Sequence, residues 1–448
     1  MNGPGPGVRA GAAIAGLALG TVALARPAPS YDPWAWLLWG REVAGGTLDT
    51  VAGPAFKPLP VAVTAVLSVL GPVAPAAFVV LARAAALAAL WLAFRLGRRL
   101  GGSAPAGVLA AAAVAGTGRF VGLSASGLAE AAALALALAG AEAWRGGRPR
   151  LALAAGTACA LLRVEAWPFL ALAGTVAWRR RPQDRPLLAA LAVAVPLAWL
   201  GPELVGSGEL LRSAARARVP GAGHPALAAA PALAAVGEAA RQVLWPLWIG
   251  LALLAGRALR GRDPAARAAL APAAAGATWV AVVAAMAQAG FSGEARYSLP
   301  GAALVSLSGA VGLGGLVRRP QARPLGAVAV AALAVAAWVG PVRALPAVRA
   351  EQARHWQLQA DLARAVEAAG GRPAVTGCGR PYVGPRRGPL AAYRLGVAKR
   401  VVEPDDPPQA PGVVFRSALG PGDPPAPAVP PGFRPVARTG LWEVYASC

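Results

Sequence analysis

YDPWAWLLWGREVAGGTLDTVAGPAFKPLP, Tyr31 to Pro60, is the stretch whose reading decides the rest of the chain. It holds Asp32, Glu42 and Asp49, from a chain with 20 acids in 448 residues, beside Trp34, Trp36 and Trp39. It also holds Lys57, one of two lysines. The sequence on either side is apolar enough to sit in lipid. Ionisable groups are costly to keep beside a bilayer and are usually functional there. The stretch therefore reads as a site and not as a linker.

Composition agrees with a membrane setting. Hydrophobic residues make up 56% of the chain and charged residues 14%, with a mean hydropathy of +0.52. Soluble domains carry about 25% charge. The net charge of +23 is spread as short arginine clusters between apolar runs, with no zinc knuckle or basic helix, which argues against nucleic acid.

Working outward, Gly11–Ala25 reads as a signal anchor, since ARPAPS is a poor cleavage site and more apolar runs follow. The first outer loop covers 26–75, and within it Leu59–Leu70 is too short to span and reads as an interfacial helix. Further spans are Ala76–Leu96, Pro105–Gly118, Leu128–Trp144, Leu151–Leu162, Trp167–Trp178 and Leu187–Leu200. After a long polar loop, Gly201–Gln242, come Val243–Leu259, Ala268–Gly290, Ser298–Val317 and Leu325–Val342. The total is about eleven spans. Arginine-rich connectors (RLGRRLGG, WRGGRPR, RRRPQDRP, RALRGRDPAAR, RRPQARP) follow every second span. By the positive-inside rule those connectors and the N-terminus are cytoplasmic, and the alternate loops and the C-terminal tail are outside.

The expected fold is an all-α polytopic membrane protein over 1–342, with a small α/β extracytoplasmic domain over 343–448. In the tail, Glu351–Ala369 reads as a helix, and Arg372–Thr376, Gly412–Ser417 and Leu441–Ala446 as strands. Cys159 reads as a core residue. Cys378 and Cys448 are either a disulfide or two free thiols.

That topology places a short set of ionisable residues on the outer face. They are Asp32, Glu42, Asp49 and Lys57, then Glu130, Arg163 and Glu165. Glu209, Arg212, Arg216 and Arg218 follow, and then Glu294 and Arg296 beside Tyr297. Carboxylates and arginines meeting at one interface suit a phosphate-bearing lipid. A carboxylate can take a proton from an acceptor hydroxyl, and arginines can clamp a phosphate. Asp32 and Glu130 could also hold a divalent cation. Each residue has a plainer reading. Asp32 can cap a helix, Asp49 can close a turn, Lys57 can anchor by snorkelling, Arg163 and Glu165 can pair with each other, and the indoles can form an aromatic belt. His224 and His355 stand alone, without ligand spacing.

These residues resemble the GT-C membrane glycosyltransferases, in particular the branch with protein O-mannosyltransferases and the lipid A aminoarabinose transferase. That branch has an acid soon after its first span, a Gly-Asp turn, a Lys-Pro-Pro-Leu motif and a span with an outer arginine. It has an acid opening span four and a late Arg-Tyr-Leu-Leu-Pro motif. Asp32, Asp49, Lys57-Pro58-Leu59-Pro60, Arg83, Glu130 and Arg296-Tyr297-Ser298-Leu299-Pro300 stand at those places. The chain departs from the branch in having Pro33 after Asp32 where an Asp-Glu pair is usual, and Arg163-Val164-Glu165 in place of a Lys-Gly-Pro region.

The resemblance implies a GT-C-like bundle in the cytoplasmic (inner) membrane of a bacterial cell envelope. It implies an inverting transfer of a sugar from a polyprenyl-phosphate donor to a glycan, lipid or protein acceptor. Asp32 would be the base and Glu130, with Asp49, would position acceptor or metal. Lys57, Arg83, Arg163, Glu165, Arg296 and Tyr297 would bind substrate. A lipid-linked-sugar flippase and a non-catalytic cell-envelope scaffold of the same fold are the alternatives.

Overall fold

The computed structural model describes residues 6–260, 263–315, 323–402 and 407–448. Along the chain its helices are α1 (Pro6–Leu24), α2 (Tyr31–Ala44), α3 (Pro58–Leu67), α4 (Ala74–Gly101), α5 (Ala104–Ala115), α6 (Phe120–Ala125), α7 (Glu130–Arg145) and α8 (Pro149–Ala160). Then come α9 (Trp167–Arg180), α10 (Arg185–Ser207), α11 (Arg212–Ala217), α12 (Pro231–Arg241), α13 (Trp245–Arg260), α14 (Pro264–Gln288), α15 (Leu299–Gly314) and α16 (Arg323–Ala368). Each apolar run read from the sequence lies on one of these helices, and the chain is a polytopic helical membrane protein. By length and apolarity alone, five stretches among the described residues can cross a bilayer, or six if α12 and α13, bent by 97°, form one broken span. The others are short: α5 and α8 have 12 residues and α9 has 14, against the ~20 of a straight span.

Small residues draw the bundle together. α15 is buried along its whole length. A Cβ on Gly250 of α13 would stand 2.0 Å from the Gly309 carbonyl, and one on Gly276 of α14 would stand 2.4 Å from that of Gly301. Only glycine lets α15 lie backbone to backbone against both neighbours, the usual device for packing helices in lipid.

The arginine connectors are held by acids at the far end of the helices from Asp32 and Glu130. Glu142 meets Arg95 and Arg99 at 2.9 and 2.8 Å. Asp184 meets Arg150 at 2.7 Å, and Asp263 caps α14 while pairing with Arg257 at 2.9 Å. The connector RRPQARP falls largely outside the described residues.

Two differences from the sequence reading bear on the site. Leu187–Leu200 is not the end of its span, because α10 continues through Pro202 to Ser207. Proline is tolerated within membrane helices, where neighbouring groups satisfy the carbonyl it frees. The apolar segment Leu59–Leu70 is α3 continued by a 3₁₀ turn from Ser68, and Gly71, at φ 55°, breaks the run before α4.

α16 passes position 342 without interruption and carries the last apolar run into the tail. Beyond it lie α17 (Gly371–Cys378), β1 (Arg380–Val383), α18 (Gly388–Leu395), β2 (Gly412–Ala418), β3 (Pro425–Ala426), β4 (Arg434–Thr439) and β5 (Trp442–Ser447). The sheet runs β1-β2-β5-β4, with β3 on β2. β1 and β2 are parallel, joined by the α18 crossover, and the remaining pairs are antiparallel. Gly412–Ser417 is strand, and so is Leu441–Ala446 from Trp442 onward. Arg372–Thr376 is not: it is helical, and Pro373 sits in the first turn of α17, where its missing N–H removes no intrahelical bond. The Trp442 indole donates to the Leu358 carbonyl at 2.9 Å, and buried Asp361 accepts from the Leu441 amide at 2.8 Å, so sheet and α16 form one unit. Cys378 and Cys448 are joined in a disulfide that ties α17 to the last residue, and Cys159 is a free, buried thiol.

Candidate functional site

Asp32 and Glu130 each occupy the first turn of a helix, α2 and α7, where the macrodipole favours an anion. Arg296, between α14 and α15, joins them. Its Nη1 lies 2.9 Å from Asp32 Oδ2 and 3.9 Å from Glu130 Oε1, and its Nε donates to Glu294 Oε2 at 2.8 Å. Arg163, between α8 and α9, donates from Nη2 to Glu130 Oε1 at 2.9 Å and lies 3.9 Å from Glu165 Oε1. The two guanidiniums stand over the Tyr297 ring at 4.4 and 5.2 Å. That ring is held by the Trp279 indole, which donates to the Tyr297 carbonyl at 2.9 Å. Lys57, just ahead of α3, is buried, with its ammonium 5.1 Å from the Trp36 ring and in the field of Arg163, Glu130 and Asp32. Asp32, Lys57, Glu130, Arg163, Glu165, Arg296 and Tyr297 thus come together from four separate loops.

Polar atoms at this point are left over. Glu130 Oε2, Arg163 Nε and Ser298 Oγ are buried and have no hydrogen-bond partner among the described residues. Native folds pair nearly all such atoms, so three orphans side by side are what a polar substrate would complete.

Electrostatics set the protonation states. Burial pushes the Asp32 carboxyl up, but Arg296 first, then Lys57 and Arg163, outweigh it and hold it below the usual carboxylate range. Burial, reinforced by Arg163, brings the Lys57 ammonium down to about 8, although Glu130 and Asp32 oppose the shift. A phosphate binds the charged ammonium, so binding that relies on Lys57 weakens as pH rises through about 8. We expect affinity for a phosphate-bearing lipid to fall between about pH 7 and about pH 9, and Lys57→Arg, which stays charged throughout, to flatten that dependence. Titration of binding in nanodiscs measures both; a slope that survives in Lys57→Arg would assign the dependence to another group.

The donor set does not suit a divalent cation. Glu130 Oε1 faces Arg163 and Arg296, and Asp32 Oδ2 faces Arg296. No group of three or more His, Cys, Asp or Glu among the described residues is placed to hold a metal.

Two expected ligand-binding residues lie elsewhere. Asp49 Oδ1 accepts from Val51 N at 3.1 Å, and its Oδ2 pairs with Arg400 at 2.6 Å, so it closes its own turn and links it to the tail. Arg83 donates to the carbonyls of Ala25 at 2.8 Å and Ala125 at 3.2 Å, and to Thr21 Oγ1 at 3.2 Å. It pins the chain leading into α2 and the loop before α7, and so positions Asp32 and Glu130 from behind. The indoles are not a lipid belt. Trp34, Trp36 and Trp39 are all buried, packed on Tyr393, Phe78 and Phe56. They anchor α2 to α18 and to the loop that carries Lys57.

Apolar hollows adjoin the bundle. One, about 930 Å³ between α8, α9 and α10, has Arg179 as its one charged lining residue. Another, about 590 Å³, lies among α4, α7, α8, α9 and α14. Another, about 280 Å³, meets the chemistry: Lys57, Arg163, Glu165 and Tyr297 line it together with Trp199, Leu200 and Leu211. Trp167 lines both this cavity and the 930 Å³ hollow, so the two are neighbours. The same cavity is lined by Glu203 and Ser213, which the sequence reading passed over. Glu203 lies on the part of α10 beyond Pro202, where the span was ended too early. An acid three residues past an apolar run was the available signal.

No family model and no curated protein matches this sequence. Solved structures do. The crystal structure of ArnT from Cupriavidus metallidurans bound to undecaprenyl phosphate aligns over 98% of each chain at 15% identity, with a TM-score of 0.54. The apo form of the same protein aligns over 98% of each chain at 14% identity, with a TM-score of 0.55. The chain has a GT-C-like fold. A likeness of that reach, from the first helix to the last strand, includes the tail, for which the sequence offered no match.

Proposed function

We propose that this protein is a membrane glycosyltransferase that moves a sugar from a polyprenyl-phosphate donor to an acceptor at the outer face of the cytoplasmic membrane. The observation that carries the reading is the meeting of Asp32, Glu130 and Arg296 with Arg163 which, like Lys57, lines an apolar cavity. Cations in that position suit a phosphate, and the larger apolar hollow on which Trp167 also borders suits a prenyl chain. An ArnT structure with undecaprenyl phosphate bound supplies the lipid class.

In this reading Lys57, Arg163 and Arg296 hold the donor phosphate. Glu130 fixes both guanidiniums. Asp32 accepts the proton of the acceptor hydroxyl as that oxygen attacks the anomeric carbon. The bond from that carbon to the phosphate oxygen breaks with inversion, and the phosphate leaves with its added charge against the three cations. A bound phosphate draws Arg296 and Lys57 away from Asp32 and so restores basicity that those cations suppress in the empty site. The tail, outside with the loops, would contact the acceptor.

The test is direct. The purified chain in nanodiscs is expected to bind undecaprenyl phosphate with an affinity that Lys57→Met and Arg296→Met each lower by about tenfold or more, as loss of a charge-assisted hydrogen bond implies. Added to membranes with a labelled undecaprenyl-phosphate sugar, it is expected to release undecaprenyl phosphate and label an acceptor. A chain that carries the intact lipid-linked sugar across the bilayer without cleaving it would be a flippase.

A further inference from the structure

The cavity beside the charged cluster contains a second polar feature that the phosphate does not need. Glu203 of α10 is fully buried and lines the cavity together with Lys57 and Arg163. Its Oε1 accepts from the Ser213 hydroxyl, and Ser213 Oγ accepts in turn from the Phe56 amide at 2.7 Å. Arg212 Nη1 stands 3.8 Å from the same Oε1, but its guanidinium is spent on the carbonyls of Pro54 and Gly53, at 2.7 and 2.8 Å. Glu203 Oε2 has no partner among the described residues. A buried carboxylate oxygen left bare is costly, and a hydrogen-bond donor arriving with a ligand removes that cost.

We propose that Glu203 is a specificity residue for the transferred sugar, its Oε2 accepting a hydrogen bond from a ring hydroxyl or ammonium of the donor. The inference rests on the proposed donor site and deepens it. Phe56, anchored through Ser213 to Glu203, immediately precedes Lys57. The group that reads the sugar is therefore tied, through Ser213, to the short piece of chain that carries the group holding the phosphate. The cavity volume, about 280 Å³, is at the small end of ligand pockets and suits a single ring rather than an oligosaccharide. The remaining wall, Leu200, Leu210 and Leu211, is apolar. Glu203 therefore decides whether a substituent there is accepted, because a site built to pair a donor group discriminates strongly against a ligand lacking it.

The experiment compares three probes on the full chain in nanodiscs: undecaprenyl phosphate, the same lipid bearing a neutral hexose, and the same lipid bearing an amino sugar. Glu203→Gln is expected to bind undecaprenyl phosphate as the unaltered chain does, and to bind a sugar-bearing lipid about 10- to 100-fold more weakly. Loss confined to the amino sugar identifies an ammonium; loss that extends to the hexose identifies a hydroxyl. Ser213→Ala, which frees the Phe56 amide, is expected to weaken all three, since it loosens the loop that carries Lys57. Equal loss for all three probes in Glu203→Gln would reduce Glu203 to a support of that loop, and unchanged binding would remove it from recognition; either overturns the proposal. Failure of the unaltered chain to bind undecaprenyl phosphate sinks the donor site as well, whereas retained lipid binding with no Glu203 effect sinks this inference alone. Thermal melting of each variant shows whether it has folded.

Discussion

Asp32→Asn is expected to cut sugar transfer by about 100- to 10,000-fold, the usual contribution of a positioned base, while the protein keeps its fold and its lipid affinity. The substitution preserves shape and removes only the ability to take a proton. Arg296 loses one charged partner but retains Glu294 at 2.8 Å and Glu130 at 3.9 Å, so the cluster does not come apart. One negative charge fewer beside Lys57 and Arg163 leaves the phosphate at least as well held. The pH profile adds a second check. Burial raises the Asp32 carboxyl, Arg296 and then Lys57 and Arg163 lower it further, and the outcome is a group below the ordinary carboxylate range. A base works in its deprotonated form, and kcat/KM reports the free enzyme. Its acid limb should therefore fall below about pH 4, with activity lost as pH drops through that value. Full transfer by Asp32→Asn, or an acid limb near about pH 6, would take the proton away from Asp32.

How much of this was readable in advance depends on whether a residue's partner is local. The helices were legible, because a run without charges in a chain that is 14% charged leaves the backbone few options but to bond to itself. The alternation of arginine connectors put Asp32, Lys57, Glu130, Arg163 and Arg296 at one end of the helices, and these five do converge. Arg83 and Asp49 have the right residue type in the right order, but their partners are carbonyls at positions 21–26 and 125, and the Arg400 side chain, none of which spacing reveals. The indoles misled for a similar reason. Tryptophan beside a span suits a belt, and only the seating of α18 on α2 turns Trp34 inward against Tyr393. Glu203 was hidden by Pro202, since a proline after an apolar run reads as an end and here is simply carried within the helix.

Arg163→Met is expected to be the most damaging single change to stability in the site, by about 3–5 kcal/mol, because it strands a buried acid. Glu130 is 1% exposed and Arg163 4%, and the 2.9 Å bond between them is the one short contact of Glu130 Oε1 with a cation, Arg296 standing 3.9 Å off. Glu130 Oε2 already lacks a partner. Removing the guanidinium leaves a carboxylate out of water with a single distant counter-charge. The double variant Arg163→Met/Glu130→Leu removes both charges, and buried pairs replaced by apolar residues are often neutral or stabilising, so much of the lost stability should return. Transfer should not return with it. The phosphate loses Arg163 in both variants, and Arg296 loses the acid that helps to aim it. Unfolding in detergent and undecaprenyl phosphate binding, measured on the two single variants and the double, separate these effects. Recovery of stability together with lipid binding would make the Arg163–Glu130 pair a structural strut. Recovery of stability alone places it in the clamp that holds the leaving phosphate.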